Sequence, residues 1–196
     1  VSLNAGGAST GNFTTLGTLA FGGGTHEIDA NISGPGTVRF GGGTINLKGG
    51  TYNLGGGTQA TGGTANFNSG VNLVSVGATL SVSNIFGNLN FTSGEAISTS
   101  TLIMDEGLLS GSDNITVSGA SSWTGGNMRG SGQTTVNGSL ALAANNSTEL
   151  DGRTPNMNGG GVLTGASNLR GVNGAVFNNA GLFDVQSDAI FLHLGG

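Results

Sequence analysis

The sequence predicts an all-β chain wound as a parallel β-helix, a β-solenoid of about 20 residues per coil with three short strands in each. Three observations predict it: a loose repeat of about 20 residues, short alternating runs within each repeat, and a glycine content of 41 in 196 residues. The repeat is clearest in "ITVSGASSW", "TTVNGSLAL", "PNMNGGGVL" and "AVFNNAGLF". Val117, Val136, Met157 and Phe177 form one column, and Trp123, Leu142, Leu163 and Phe183 follow six positions later as a second. Successive members lie roughly 20 residues apart. A third apolar position trails at Met128, Leu150, Leu169 and Ile190 or Phe191. A unit of this size cannot bury its apolar face alone, so the units must stack.

Strands rather than helices fill the units. Glycine, Thr, Ser and Asn occupy most polar positions and are poor in helix interiors. "NITV", "GTVRF", "TINLK" and "ATLSV" instead alternate polar and apolar residues with β-branched members, bounded by Gly, Asn and Ser. Ser118-Gly119, Asn137-Gly138, Asn158-Gly159 and Asn178-Asn179 are read as corners, because these residues tolerate the left-handed backbone of a sharp bend. Asn and Thr columns at such corners are expected to form hydrogen-bonded ladders between coils. At ~4.8 Å per coil, about ten coils give a rod about 45 to 50 Å long.

The amino-terminal half repeats less regularly. "FGGGT" begins at Phe21 and again at Phe40, and "LGGGT" at Leu54 after a shorter step. Phe67 with Leu73 and Phe91 with Ile97 keep the six-residue offset, whereas the step from Phe91 to Val117 is longer than one repeat. "MDEGLLSGSD" (Met104 to Asp113) is therefore read as part of a longer coil or an excursion from the stack. No linker or charge block interrupts the pattern, so residues 1–196 are expected to form a single continuous solenoid, a segment or processed part of a larger surface protein.

Composition narrows the function. Charged residues make up 8% of the chain, the net charge is −5 and the pI about 4.6, which disfavours a nucleic-acid partner. Hydrophobic residues make up 35%, enough to fill a narrow core, and no apolar run is long enough for a transmembrane helix. There is no cysteine to build a disulfide framework. The triple glycines never continue into a dinucleotide or phosphate-binding motif. His26 and His193 stand alone without ligand spacing and are expected at the surface, so no metal or cofactor is expected. The sequons at Asn31, Asn90 and Asn114 arise by chance in so Asn-, Ser- and Thr-rich a chain.

Asn114 to Val185 ("NITVSGASSWTGGNMRGSGQTTVNGSLAL…LDGRTPNMNGGG…NGAVFNNAGLFDV") resembles the repeats of large bacterial surface proteins of the filamentous-haemagglutinin and autotransporter-passenger kind. The resemblance implies a right-handed parallel β-helix that adheres or builds extracellular fibres at the cell surface, and it transfers no binding residue. The competing class is a carbohydrate-active β-helix: a polysaccharide lyase, glycoside hydrolase or tailspike depolymerase, in which carboxylates converge on one outer face. The candidates are Glu27 with Asp29, Asp105 with Glu106, Glu149 with Asp151, and Asp184 with Asp188. They are read as solvating charges, and no catalytic residue is assigned. Trp123 lies in the column of Leu142, so it is a core residue whose indole N–H seeks a carbonyl. Thr99-Ser100-Thr101 is the one Thr-x-Thr stretch suited to an ice-binding face. Neither end shows a cap, and Ile190, Phe191, Leu192 and Leu194 crowd one of them. The expected partner is another copy stacked head to tail, with a carbohydrate or host surface as a second candidate.

Overall fold

A computed structural model describes residues 1–143 and 145–194. The strands are short, mostly two to five residues, and every strand pair is parallel. Two faces run the whole length as ten-stranded sheets. First-face strands begin at Ser2, Thr18, Thr37, Gly57, Thr79, Thr101, Ser121, Leu140, Gly161 and Phe183, and each opens one of coils 1 to 10. The second face follows in each coil. The third face is split into a four-stranded sheet in coils 1 to 4 and a five-stranded sheet in coils 5 to 9.

Pairing in parallel register turns sequence alternation into columns, since alternate residues of a strand share a face. One inward column threads all ten coils: Leu3, Phe21, Phe40, Ala60, Val82, Met104, Trp123, Leu142, Leu163 and Val185. The third face aligns Ile97 with Ile115, and Val117 with Val136 and Met157. Trp123 is buried and its indole N–H donates to the Gly126 carbonyl at 3.2 Å.

The last repeat departs from the expected columns by two residues. Asn179, not Phe177, pairs with Met157, and Val185, not Phe183, pairs with Leu163. Asn178–Asn179 is accordingly a strand rather than a corner. The cause is packing. Gly161 leaves a gap in the second inward column, and Phe183 pairs with it and fills the gap. Phe177 packs edge-on against Phe183 with ring centroids 5.6 Å apart, and Phe191 lies 5.3 Å from Phe177. The three rings partly plug the interior where the expectation was an uncapped end. The trailing column shifts likewise: Met128 pairs with Leu150, but Leu150 pairs with Gly171, while Leu169 pairs with Phe191.

"MDEGLLSGSD" is no excursion. Met104 and Asp105 end the strand Thr101–Asp105, and Leu108–Gly111 is the next strand. Phe91 and Val117 sit on different faces, so the gap between them compares two columns. The irregularity lies one coil earlier: Asn66 pairs with Asn90, a step of 24 residues, against 19 from Glu27 to Asn46. The extra residues form the corner Asn84 to Gly87. Beyond Phe91 the chain detours through residues 92–96 before the third face restarts at Ile97–Thr99.

The glycine runs are corners, but not the same corner. Gly22 to Gly24 and Gly41 to Gly43 join the first face to the second, whereas Gly55 and Gly56 join the third face to the first, which explains the shorter step. At Gly43, with φ of +74°, a Cβ would lie 2.0 Å from the Gly24 carbonyl oxygen of the coil before, so only glycine fits.

Aromatic rings run through coils 2 to 5. Phe21 stacks on Phe40 at 5.7 Å, Phe40 meets Phe67 edge-on at 6.2 Å, and Phe67 stacks on Phe91 at 4.6 Å. Each pair contributes roughly 0.5–1.5 kcal/mol beyond its area. Polar groups inside are partnered with few exceptions. Tyr52 donates to Thr58 Oγ1 at 2.9 Å, and Thr58 donates to the Val76 carbonyl at 2.8 Å. Burial raises the Tyr52 pKa well above its usual range. Ser121, between Leu102 and Leu140 in an inward column, is the exception: its Oγ is buried with no hydrogen-bond partner among the described residues. Ser121→Ala should raise stability by about 1 kcal/mol, because it removes an unpaired hydroxyl from a dry site. A lower melting temperature for the alanine variant would show that the hydroxyl has a partner.

Candidate functional site

The outer faces carry the sites that a function could use, and three of their carboxylates are paired with a cation on an adjacent coil. Glu27 on the second face forms an ion pair with Lys48 and accepts from Asn46 Nδ2 at 2.7 Å. Asn66 then donates to Asn46 at 2.9 Å and Asn90 to Asn66 at 3.2 Å, a ladder over four coils. The expected corner ladder also forms, Asn158 donating to Asn137 at 2.8 Å.

Glu149 and Asp151 flank the buried Leu150 and face outward together. Neither stands free. Arg170 lies 3.6 Å from Glu149, and Arg129 Nε donates to Asp151 at 2.5 Å, with Asn173 a second donor at 2.6 Å. The Asn173 and Arg129 bonds hold the Asp151 carboxyl below the usual carboxylate range, and the Lys48 and Asn46 bonds do the same for Glu27. A glycosidase acid requires the opposite direction, a carboxyl held protonated by an apolar site. Asp105 accepts from Thr124 at 2.7 Å, Glu106 from Asn146 at 3.2 Å, and Asp184 from Gln186 at 2.6 Å. Asp29 and Asp188 are exposed.

His26 is not at the surface. It alternates inward with Ile28 on the strand Thr25–Asp29, stands in a column with Ile45, and its Nε2–H donates to the Gly23 carbonyl at 3.0 Å. His193 is exposed, in the column of Gly171. Among the described residues no three His, Asp or Glu gather as metal ligands. The Thr-x-Thr stretch does not form a surface pair either: Thr99 is buried and donates to the Gly77 carbonyl at 3.0 Å.

The sequence reading passed over Arg153, whose side chain is fully buried. It reaches from coil 8 back across two coils. Nε donates to Thr134 Oγ1 at 2.8 Å, Nη1 to the Gly111 carbonyl at 3.2 Å, and Nη2 to the carbonyls of Asp113 and Gln133 at 2.9 and 3.0 Å. Burial pushes its pKa down to about 10, partly opposed by the Asp113 carboxylate, and the group remains charged at pH 7. Asp113 in turn accepts from the Ser93 N–H and hydroxyl, both at 2.7 Å, and from the Gly94 N–H at 3.0 Å, fixing the detour before the third face restarts. The signal was present in the glycines. At Gly132 a Cβ would lie 2.7 Å from Arg153 Nη1, so the missing side chain there is the space that the guanidinium fills.

The first coil and the last two carry most of the large exposed apolar side chains among the described residues. Val1 and Leu16 are exposed at one end, and Val176, Leu182, Val185, Ile190, Phe191 and Leu194 at the other, while Leu192 is half-buried. A cavity of about 360 Å³ opens beside Gly171 between Leu150, Leu169, Phe177 and Phe191. No family model, no curated protein and no solved structure matches this chain.

Proposed function

We propose that the chain is a stiff, non-catalytic β-solenoid of the extracellular, cell-surface kind found in bacterial adhesins and fibres, and that it assembles head to tail with further copies of itself. The observation that carries this is the distribution of apolar surface. Among the described residues, eight of the twelve large exposed hydrophobic residues lie in the first coil and the last two, surface that a further coil, of another copy or of a longer parent chain, would cover. Continuing the register would set Val1 of one copy against Phe183 of another, and Leu3 against Val185. Such a contact is heterologous and does not close, so it propagates into a filament. It rests on strand pairing and apolar contact and should persist in high salt.

Sedimentation over a concentration series, with electron micrographs at the highest, tests this. Linear filaments in high salt are expected, and Phe183→Lys with Phe191→Lys should return them to monomers. A wild-type protein that stays monomeric at high concentration overturns the assembly. New reducing ends or unsaturated products from a panel of neutral and acidic polysaccharides would overturn the non-catalytic reading in favour of a carbohydrate-active β-helix.

A further inference from the structure

We infer that a notch on the edge between the first and second faces, centred on Glu106, binds an uncharged pyranose chain. The notch is built by unequal corners. Coils 6 and 7 turn this edge with two residues each, Glu106-Gly107 and Thr124-Gly125, while coil 5 turns it with Asn84 to Gly87 and coil 8 carries Asn145, Asn146 and Ser147 on its corner. The two long corners stand three coil steps apart, about 14 Å. Between them lies a cavity of about 370 Å³, walled by Ile85 on one side and by Asn146 and Ser147 on the other.

Its chemistry suits sugar hydroxyls. Asn146 Nδ2 donates to Glu106 Oε1 at 3.2 Å across the notch, which leaves Glu106 Oε2 and the Asn146 side-chain carbonyl oxygen as acceptors, while the Asn127 amide both donates and accepts and Ser147 adds a hydroxyl. Gly107 and Gly126 bring bare backbone to the floor, where a ligand can approach closely. The coil 5 wall adds apolar contact. Ile85 and Phe86 are 67% and 69% exposed, the largest lateral apolar side chains left in solvent. They are held out by a fixed turn: the Phe86 N–H donates to Asn84 Oδ1 at 3.1 Å and the Gly87 N–H to the Asn84 carbonyl at 2.9 Å. The exposed apolar side chain of Ile85 in the wall, beside a carboxylate and amides, matches a pyranose, with its apolar C–H face and its polar rim.

Glu106 is also out of character for its place. The equivalent corner position is glycine in coils 2, 3, 4 and 7, at Gly23, Gly42, Gly62 and Gly125. Glu106 holds φ of +70° and Asn84 of +75°, a left-handed backbone that glycine adopts more readily. A carboxylate is thus kept where the fold itself asks for none. The charge selects the ligand. The three ion pairs among the described residues use Glu27, Glu149 and Asp151, so Asp105 and Glu106 leave the notch negative and repel uronic or sulfated sugars.

This site does not depend on end-to-end assembly, and the assembly-deficient Phe183→Lys, Phe191→Lys chain can be used to study it. The test is saturation-transfer NMR and calorimetric titration with cellotriose, maltotriose and diacetylchitobiose, with a trigalacturonate control. One neutral oligosaccharide should bind saturably and trigalacturonate should not. Glu106→Gly should weaken binding about tenfold, as expected for loss of a charged hydrogen-bond acceptor, while the melting temperature holds or rises because the backbone strain is relieved. Ile85→Ser should weaken binding several-fold at constant stability. The inference is overturned by a wild type that binds none of the neutral sugars. It is equally overturned by Glu106→Gly binding undiminished, or by an Arg-rich peptide occupying the notch where sugars do not. Cleavage of the bound sugar would refute the non-catalytic reading instead, leaving the site itself in place.

Discussion

Arg153→Ala should lower stability by about 3 to 5 kcal/mol, the range for removing one member of a buried, hydrogen-bonded charged network. The guanidinium holds four acceptors drawn from coils 6 and 7. Its loss leaves the Asp113 and Gln133 carbonyls without the guanidinium donor, leaves the Gly111 carbonyl with only the Gly132 N–H at 3.3 Å, and opens a cavity that Gly111 and Gly132 cannot fill. Arg153→Met separates the two causes, since it keeps most of the stem and restores none of the hydrogen bonds. We expect methionine to recover only part of the loss, because buried carbonyls left unpaired each cost roughly 1–3 kcal/mol. Chemical denaturation of the two variants measures the difference. An alanine variant that unfolds at the same denaturant concentration as the wild type would show that Arg153 only fills space.

Leu163→Asp should be still more damaging and leave the carboxyl-terminal coils unfolded. Leu163 is buried between Leu142 and Val185, with no donor in its column to meet a carboxylate. An aspartate there costs several kcal/mol, whether it stays ionised or its raised pKa leaves it a neutral, unpaired carboxyl. The exposed, outward-facing Ala141, whose strand neighbours Ser122 and Val162 are uncharged, gives the control, for Ala141→Asp points the same group to solvent and should change stability by less than about 0.5 kcal/mol. A thermal melt in which the two aspartate variants behave alike would mean that the inward column is misassigned.

The sequence carried the fold because a solenoid writes its tertiary structure as a period. The coil length, the strand class and the inward positions of Trp123, Leu142 and Leu163 follow from spacing and alternation alone. The final coil was misread for a reason that spacing cannot show. Phe177 and Phe183 look like the next members of their columns, yet both are displaced by two residues because Gly161 leaves a hole that an aromatic ring fills. Composition hid His26 and Arg153. Polar letters suggest surface, and only the register sets His26 above Ile45 or brings Arg153 beneath two glycines. The notch at Glu106 was equally hidden, since it arises from a difference in corner length between coils 5 and 8, and no single coil contains it.

The break in the third face has a mechanical meaning. In a rod of this kind the hydrogen bonds between strands lie along the long axis, so a pull on the two ends loads them directly in tension. Within coils 1 to 4 and within coils 5 to 9 each coil shares three ladders of such bonds with the next, whereas coils 4 and 5 share two, because the strands Asn72–Val76 and Ile97–Thr99 are not bonded to each other, and the last pair, coils 9 and 10, also shares two. Inside the stack, away from the last coil, force therefore finds this junction first. Pulled by its two ends, the interior of the rod should part between coils 4 and 5 while coils 1 to 4 and coils 5 to 9 stay wound on either side, a built-in yield point in the middle of the stack.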